Sequence, residues 1–362
     1  MSWDVAIAGG GPAGAIAACR LADAGRRVVL LERDRGPSHK VCGEFWSIEA
    51  QGLLDEVTDG APVLPSLGAA PIEGLRLVCG RRVAVAPLPF QAWGLSRFRL
   101  DAWLLRQAER RGAIVERGRA ARSLEGDGAG VRVRTEDETL VAGAALLATG
   151  KHELRGRPRT AARSDYIGLK LHLRLAEAQD RALDRQVEVV LFEGGYAGLQ
   201  HVEDGLANLC LLVTRRRFAE LGRNWRRLLI WVPHLNLRLD GAVACWPRPL
   251  AISGVPFGFM QRNAEMAAVY RVGDQAAVIP SFTGDGMAMA LRSGGRAAAA
   301  ILAGEPPAVF QLRLARTFAP ALRLATALAR AGAVPTLQGP IVAFSQLLPG
   351  LLGYLALRTR AA

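Results

Sequence analysis

The strongest constraint on this chain lies in its first 32 residues. A short apolar run, Trp3 to Ala8, leads directly into Gly9-Gly10-Gly11-Pro12-Ala13-Gly14. Ala15-Ile16-Ala17-Ala18-Cys19-Arg20-Leu21-Ala22 then has helical spacing and stops at Gly25. Arg27 to Leu31 is a second apolar run, closed by Glu32. Together these make a β-α-β unit. Gly9-x-Gly11-x-x-Gly14 allows a tight turn, close backbone approach to a pyrophosphate and packing of helix on strand, while the helix N-terminus favours the anion. Glu32 stands eighteen residues beyond Gly14, where a carboxylate can accept both hydroxyl protons of an adenosine ribose. The same charge repels a 2′-phosphate, although Arg33 beside it suits one.

Farther on, Asp101 to Arg111 reads as an amphipathic helix and Ala113 to Glu116 as a strand. Val131 to Thr135 with Leu140 to Val141 reads as a hairpin, and Ala144 to Ala148 as an apolar strand stopped by Thr149-Gly150. The middle of the chain changes character. Ile167 to Leu175, Gln186 to Phe192 and Asn208 to Val213 alternate like antiparallel strands, with turn signals at Gly194-Gly195 and Asp204-Gly205. Ala267 to Val272 then leads through Gly273-Asp274 back to the first domain, and Gly286 to Ala300 is a long Ala-rich helix. Ala331 to Leu357 carries no charge and is interrupted by Pro335, Pro340 and Pro349. A buried helix pair is expected there ahead of a membrane contact.

The formal charge of +13, from 46 basic and 33 acidic residues, could serve nucleic acid, an anionic cofactor or an acidic membrane surface. The arginines are scattered and no basic stripe alternates with aromatics, so no nucleic-acid partner is expected. Five cysteines without a C-x-x-C pair fit reduced thiols rather than disulfides or a zinc site, and no metal is expected. No basic-then-apolar leader opens the sequence, which points to a cytoplasmic protein, with peripheral membrane contact through the apolar C-terminal segment as the variant.

Downstream, Arg271-Val272-Gly273-Asp274-Gln275-Ala276 is followed by Pro280-Ser281-Phe282-Thr283-Gly284-Asp285-Gly286-Met287. A strand ending in Gly-Asp, then a glycine-rich loop entering a helix, is a second place built for a polar ligand chain. With the Gly9 fingerprint and Glu32, Ser96-Arg97-Phe98-Arg99-Leu100-Asp101 and the Ala148-Thr149-Gly150 strand end, the sequence from Met1 to about Ala300 resembles the FAD-dependent oxidoreductases of the aromatic hydroxylase and geranylgeranyl reductase superfamily. The resemblance implies an α/β fold with a Rossmann-like FAD-binding domain of glutathione reductase type, a second antiparallel β-sheet substrate domain and a helical C-terminus. The FAD domain is then assembled from residues 1–75, 96–160 and 266–305, the substrate domain from 76–95 and 161–265, and 306–362 form the helical segment. It further implies pyrophosphate at Gly9 and Gly11 to Gly14, ribose at Glu32 and an arginine contact from Arg97. Asp274, after Gly273, would hold the ribityl chain. Pro280, Gly284, Gly286 and Met287 would bind the cofactor, with backbone N–H groups of the last two on the flavin pyrimidine ring. Ala121, on a strand edge after Val115, would meet the adenine. Lys40-Val41-Cys42-Gly43-Glu44 resembles the Cys-Gly-Glu segment that geranylgeranyl reductase-like flavoproteins place against the isoalloxazine, so Cys42 and Gly43 become flavin neighbours and Cys42 the candidate catalytic residue.

Departures from the family pattern bear on the reaction. The Asp-Gly motif that aromatic hydroxylases carry after Ala-Thr-Gly is replaced by Lys151-His152-Glu153-Leu154-Arg155-Gly156, and no Trp-x-Trp of the halogenases occurs. Gly194-Gly195-Tyr196-Ala197-Gly198-Leu199 keeps the tyrosine of the reductases' Gly-Tyr-x-Trp stretch but not its tryptophan. His172 and His201 read as satisfied sheet residues, and Lys170, His172 and Arg174 share a strand face that a solvated sheet would equally show. The expected function is monooxygenation, hydroxylating or epoxidising a hydrophobic small molecule in an apolar cavity beneath the sheet, with NADH or NADPH as reductant. Reduction of prenyl or other lipid double bonds is the alternative, and a non-catalytic flavin-binding protein the third.

Overall fold

The computed structural model describes residues 2–58, 60–126, 130–161 and 164–360. Two sheets organise it. In the first, β1 (Ser2–Ala8) is flanked in parallel by β2 (Val28–Glu32) and by β9 (Thr139–Leu147). β6 (Ile114–Arg117) lies outside β2, and β16 (Val269–Arg271) also pairs with β9. β7 (Ser123–Gly126) and β8 (Val131–Arg134) extend the sheet as an antiparallel hairpin onto β9. Both faces of this sheet are buried, which is why its strands read as continuous apolar runs. Val5, Ile7, Val28 and Leu30 pack on α1 (Pro12–Asp23) and α9 (Gly286–Leu302), while Ala6, Ala8, Val29 and Leu31 meet Leu124, Val131 and Val133. The helices approach closely because a Cβ on Gly294 would run into the Ala13 carbonyl. Leu140–Val141 and Ala144–Ala148, expected as two strands, are one strand whose first half pairs antiparallel with β8 and whose second half is central and parallel.

The second sheet runs β14-β10-β13-β12-β11-β4-β5-β3, with β15 also on β10. Its members are β3 (Phe45–Trp46), β4 (Ala70–Cys79), β5 (Arg82–Gly94), β10 (Tyr166–Arg174), β11 (Gln186–Phe192), β12 (Gly195–His201), β13 (Ala207–Thr214), β14 (Val243–Ala244) and β15 (Leu250–Ser253). Residues 1–75 therefore contribute β3 and the start of β4 to this sheet, because the β4–β5 ladder starts at Ala70 and β3 pairs with the far end of β5. One face carries Leu169, Leu171, Leu173, Leu209, Leu211 and Val213. It packs against Leu228 of α7 (Trp225–Trp231), Val232, and Leu235 of α8 (Pro233–Arg238). Under α8 the buried Glu188 carboxylate accepts from His234 Nε2 (2.8 Å), Arg238 Nη2 (2.7 Å) and Arg76 Nη1 (3.0 Å).

Between the sheets, α2 (Ile48–Asp55) and α3 (Val63–Ser66) lead into β4, and α4 (Arg97–Arg110) lies beside α1. α5 (Glu177–Leu183) and α6 (Arg215–Glu220) follow β10 and β13. The C-terminal part is helical throughout: α10 (Pro307–Ala333), α11 (Pro335–Leu347) and α12 (Pro349–Arg358). The last two meet at 107°, and among the described residues no single helix is long and apolar enough to cross a membrane. Val342 and Leu352 pack on Ala84 and Ala86, but Phe344 is 53% and Leu347 79% exposed. The expected buried pair is thus buried on one side only, since a two-helix layer over a sheet has just one face to cover.

Candidate cofactor and active site

At Gly9 the backbone has φ 113°, and a Cβ there would run into the Ala148 carbonyl; at Gly14 a Cβ would strike Gly9 itself. The strand end Ala148-Thr149 is thereby drawn against the first turn. Gly11 is the N-cap of α1 and has no side chain to cap it, so the N–H groups of the first turn stay available to an anion. Pro12 opens the helix and Ala13 is buried. Glu32 is held at this turn by Gly10 N–H (2.8 Å) and Asp34 N–H (3.0 Å). Arg33 is exposed and leans toward Asp34 at 3.7 Å. Ala121 lies in the connector between β6 and β7 rather than on a strand edge, because β6 ends at Arg117. Arg119 N–H to the Glu32 carbonyl (2.9 Å) ties that connector to the site.

The second glycine turn meets the first. A Cβ on Gly273 (φ 58°) would sit 3.3 Å from the Ala13 Cβ, and its N–H donates to Ser293 Oγ at 2.8 Å. The carbonyl of Asp274 accepts from Arg159 Nη1 (3.1 Å). Pro280 leads the loop, and a Cβ on Gly284 would press 2.6 Å from the Phe45 ring. Gly286 and Met287 then begin α9. Arg97, capped into α4 by Ser96, lies 3.2 Å from where a Gly11 Cβ would be and makes two 2.6 Å bonds to Asp101. Burial opposes the Arg97 charge, but Asp101, with Cys42 and Asp274 nearby, more than offsets it and raises its pKa. An uncapped helix start that a Cβ would fill, a carboxylate at the strand end and a second turn in contact with the first fit FAD. Gly11 to Gly14 would hold its pyrophosphate and Glu32 its ribose.

Cys42 Sγ lies 3.4 Å from Met287 Sδ, so the Cys42-Gly43-Glu44 segment sits at the N-terminus of α9. The Cys42 and Gly43 carbonyls accept from Asn208 Nδ2 at 3.2 and 2.7 Å. Behind them Glu44, fully buried and at φ 57°, accepts from Arg97 N–H (2.8 Å), from Lys170 Nζ and from His172 Nε2 (2.6 Å). Burial penalises its charge, yet Lys170 and His172 outweigh that and hold the carboxyl below the usual range. An ionised carboxylate only accepts, which assigns the proton to His172 Nε2. His39 stacks on Phe98 and meets His172 edge-on, and burial with the nearby Lys170 lowers its pKa to about 4. His39, Glu44 and His172 bring three ligand-type atoms within 4.8 Å of one another, where the Lys170 ammonium already supplies positive charge.

This cluster decides one open alternative and corrects one expectation. Lys170 and His172 are not on a solvated face: each is 1% exposed, because the inner face of the second sheet closes over the first domain. That face shows Lys170, His172, Asn208, Cys210 and Tyr196 rather than the apolar cavity wall expected. His201 instead pairs with Asp180 (2.9 Å) away from Glu44. Tyr196 OH bonds Ser281 Oγ and its ring meets Phe282 edge-on, closing the sheet onto the cofactor loop. Sequence reading missed Glu44, Lys170, Asn208 and Asp285 as site residues. The period-two placement of Lys170 and His172 was the available signal for two of them. It also missed Arg360, which donates from Nη2 to the Thr283 carbonyl (3.0 Å), lies 3.5 Å from Asp285 Oδ1 and stands over the Phe45 and Phe90 rings.

Comparison with known proteins agrees with this geometry. A family model described as an FAD binding domain matches residues 2–145. Menaquinone reductase of Mycobacterium tuberculosis is 29% identical over 94% of this chain and 87% of that protein. Digeranylgeranylglycerophospholipid reductase 2 of Methanopyrus kandleri is 27% identical over 81% and 75%. Among solved structures, the flavin-dependent brominase Bmp2 superposes with TM-score 0.83 at 15% identity over 100% of this chain and 94% of its own. A geranylgeranyl bacteriochlorophyll reductase-like protein of Thermoplasma acidophilum gives 0.77 at 21% over 99% and 96%. At such identities the structural likeness speaks for the fold.

Proposed function

The chain belongs to the superfamily of FAD-dependent oxidoreductases that includes aromatic hydroxylases and geranylgeranyl reductases, and on that premise we propose that it saturates isolated carbon–carbon double bonds of an isoprenoid or other lipid chain. The observation that carries this reading is the seat of Cys42, 3.4 Å from Met287 at the start of α9, where the reductase resemblance sets the Cys-Gly-Glu segment. Two relatives that align over most of both chains are named as reductases, of a menaquinone and of a digeranylgeranyl lipid. This reverses the order expected from sequence, which ranked oxygen transfer first.

When bound, FAD supplies hydride. Saturation also needs a proton held in a dry place, and Lys170 Nζ and His172 Nε2 hold protons against Glu44 beside Cys42. The second sheet excludes water from that cluster, which keeps its charges strongly coupled. Where reductases of this type carry a tryptophan, Gly198 stands on the same strand face as Tyr196 and brings no side chain, which suits a chain-like substrate. NADH or NADPH is the proposed reductant.

The test is anaerobic turnover of the reduced enzyme with isoprenoid lipids, read by mass spectrometry. The expected product is heavier by two hydrogens and forms equally well without air. A product that forms only in air and carries one atom from molecular oxygen would establish oxygen transfer instead. No product from any donor would leave flavin binding as the activity.

A further inference from the structure

From Pro306 to Ala362 the chain carries six arginines and no acidic residue. Within it, α11 and α12 turn Gln338, Val342, Ser345, Leu352 and Gly353 inward. Outward stand Leu337 (44%), Phe344 (53%), Leu347 (79%), Leu348 (50%), Tyr354 (56%) and Leu357 (46%). One exposed leucine is ordinary, but six large apolar side chains on one short helix pair make an interaction surface. On α10, Arg316, Arg323 and Arg330 recur every seven residues and so share a helix face. All three are exposed, and among the described residues none meets a carboxylate.

We propose that the outer side of α11–α12, with the arginine row of α10, is an interfacial anchor for an anionic lipid bilayer. Thirteen and ten residues make arms of about 20 and 15 Å. Neither crosses a hydrocarbon core of about 30 Å, and a 107° bend prevents them from doing so as one rod. A short helix pair with one apolar side lies in the headgroup boundary instead. Charge selects the occupant. A second copy of this chain would bring the same +13 and the same unbalanced arginines, whereas anionic headgroups neutralise them. Arg358 over the Tyr354 ring (6.0 Å) places a cation beside an amphipathic aromatic, as at a membrane edge.

The full chain loaded with FAD is sedimented with phosphatidylcholine vesicles containing or lacking phosphatidylglycerol. Binding is read without turnover, so the result is independent of the reaction proposed above. Each basic residue near an anionic surface is worth about fivefold in partition, so at least a roughly tenfold preference for the anionic vesicles is expected, weakened by salt. Leu347→Glu with Leu348→Glu should lower binding by about tenfold or more. Arg316→Glu with Arg323→Glu and Arg330→Glu should abolish the preference for phosphatidylglycerol. Both variants alter exposed residues and should keep wild-type flavin absorbance and unfolding temperature. Absence of wild-type binding, equal binding to the two vesicle types, or folded variants that bind like wild type would overturn the anchor. A lipid-free dimer that Leu347→Glu with Leu348→Glu dissolves would assign the surface to a second copy.

Discussion

Glu32 ends one apolar strand and Glu44 precedes another, yet their surroundings give the two carboxylates different tasks. Glu32 is partly exposed and held by two backbone N–H groups, free to accept from a ribose. Glu32→Ala should weaken FAD by about 1–3 kcal/mol, the cost of charge-assisted hydrogen bonds left unmade, as read by flavin fluorescence titration; unchanged affinity would remove Glu32 from the site. Glu44 is sealed between Lys170 and His172. Glu44→Gln leaves the Lys170 ammonium buried without a counter-charge, and stability should fall by about 3–5 kcal/mol in denaturant unfolding. Adding Lys170→Met should restore much of that loss, since the stranded charge is what costs. The two residues also differ in how far sequence reveals them. Glu32 is legible because its spacing from Gly14 is local. Glu44 is not, because its partners lie 126 and 128 residues away and alternation along β10 shows a shared face without showing what covers it.

Among the elements, the glycine turns announce themselves through composition, while the edges of the second sheet do not. β3 is two residues long, too short to show a period, and β4 begins at Ala70, before the expected boundary. α8 is only six residues long, and a buried carboxylate joins Leu235 in fixing it. Burial opposes the Glu188 charge, but His234 and Arg238 overcome this and lower its pKa from 4.5 to about 2. The folded pKa is the lower one, so the stabilisation is complete above about 4.5 and is lost as pH falls toward 2. The difference corresponds to about 3 kcal/mol. Glu188→Gln should be less stable than wild type at neutral pH and should lose less on acidification over that window, as followed by thermal unfolding. Parallel curves for the two proteins would show that Glu188 does not anchor α8.

Over the whole molecule, residues from the first thirty-two, from the strand end Ala148-Thr149 and from α9 converge on one place, the pair of turns at Gly9 and Gly273. Removing everything after Arg330 strips Val342 and Leu352 from Ala84 and Ala86 and takes Gln338 from the Phe192 carbonyl. The shortened chain should be recovered insoluble; a soluble product that retains FAD through gel filtration would show that the helices are dispensable to the fold. Arg360 adds a consequence of a different kind. It grips the Thr283 carbonyl and Asp285, one residue before α9 starts, while its own position is set by α12. Loop and helix therefore share one clasp, and free energy spent on ordering either is not spent again on the other. Should ordering of that loop accompany cofactor binding, reciprocity requires that any surface that steadies α12 tightens cofactor binding by the same factor by which bound cofactor strengthens attachment to that surface. The candidate flavin site and the outer helices are then two ends of a single equilibrium.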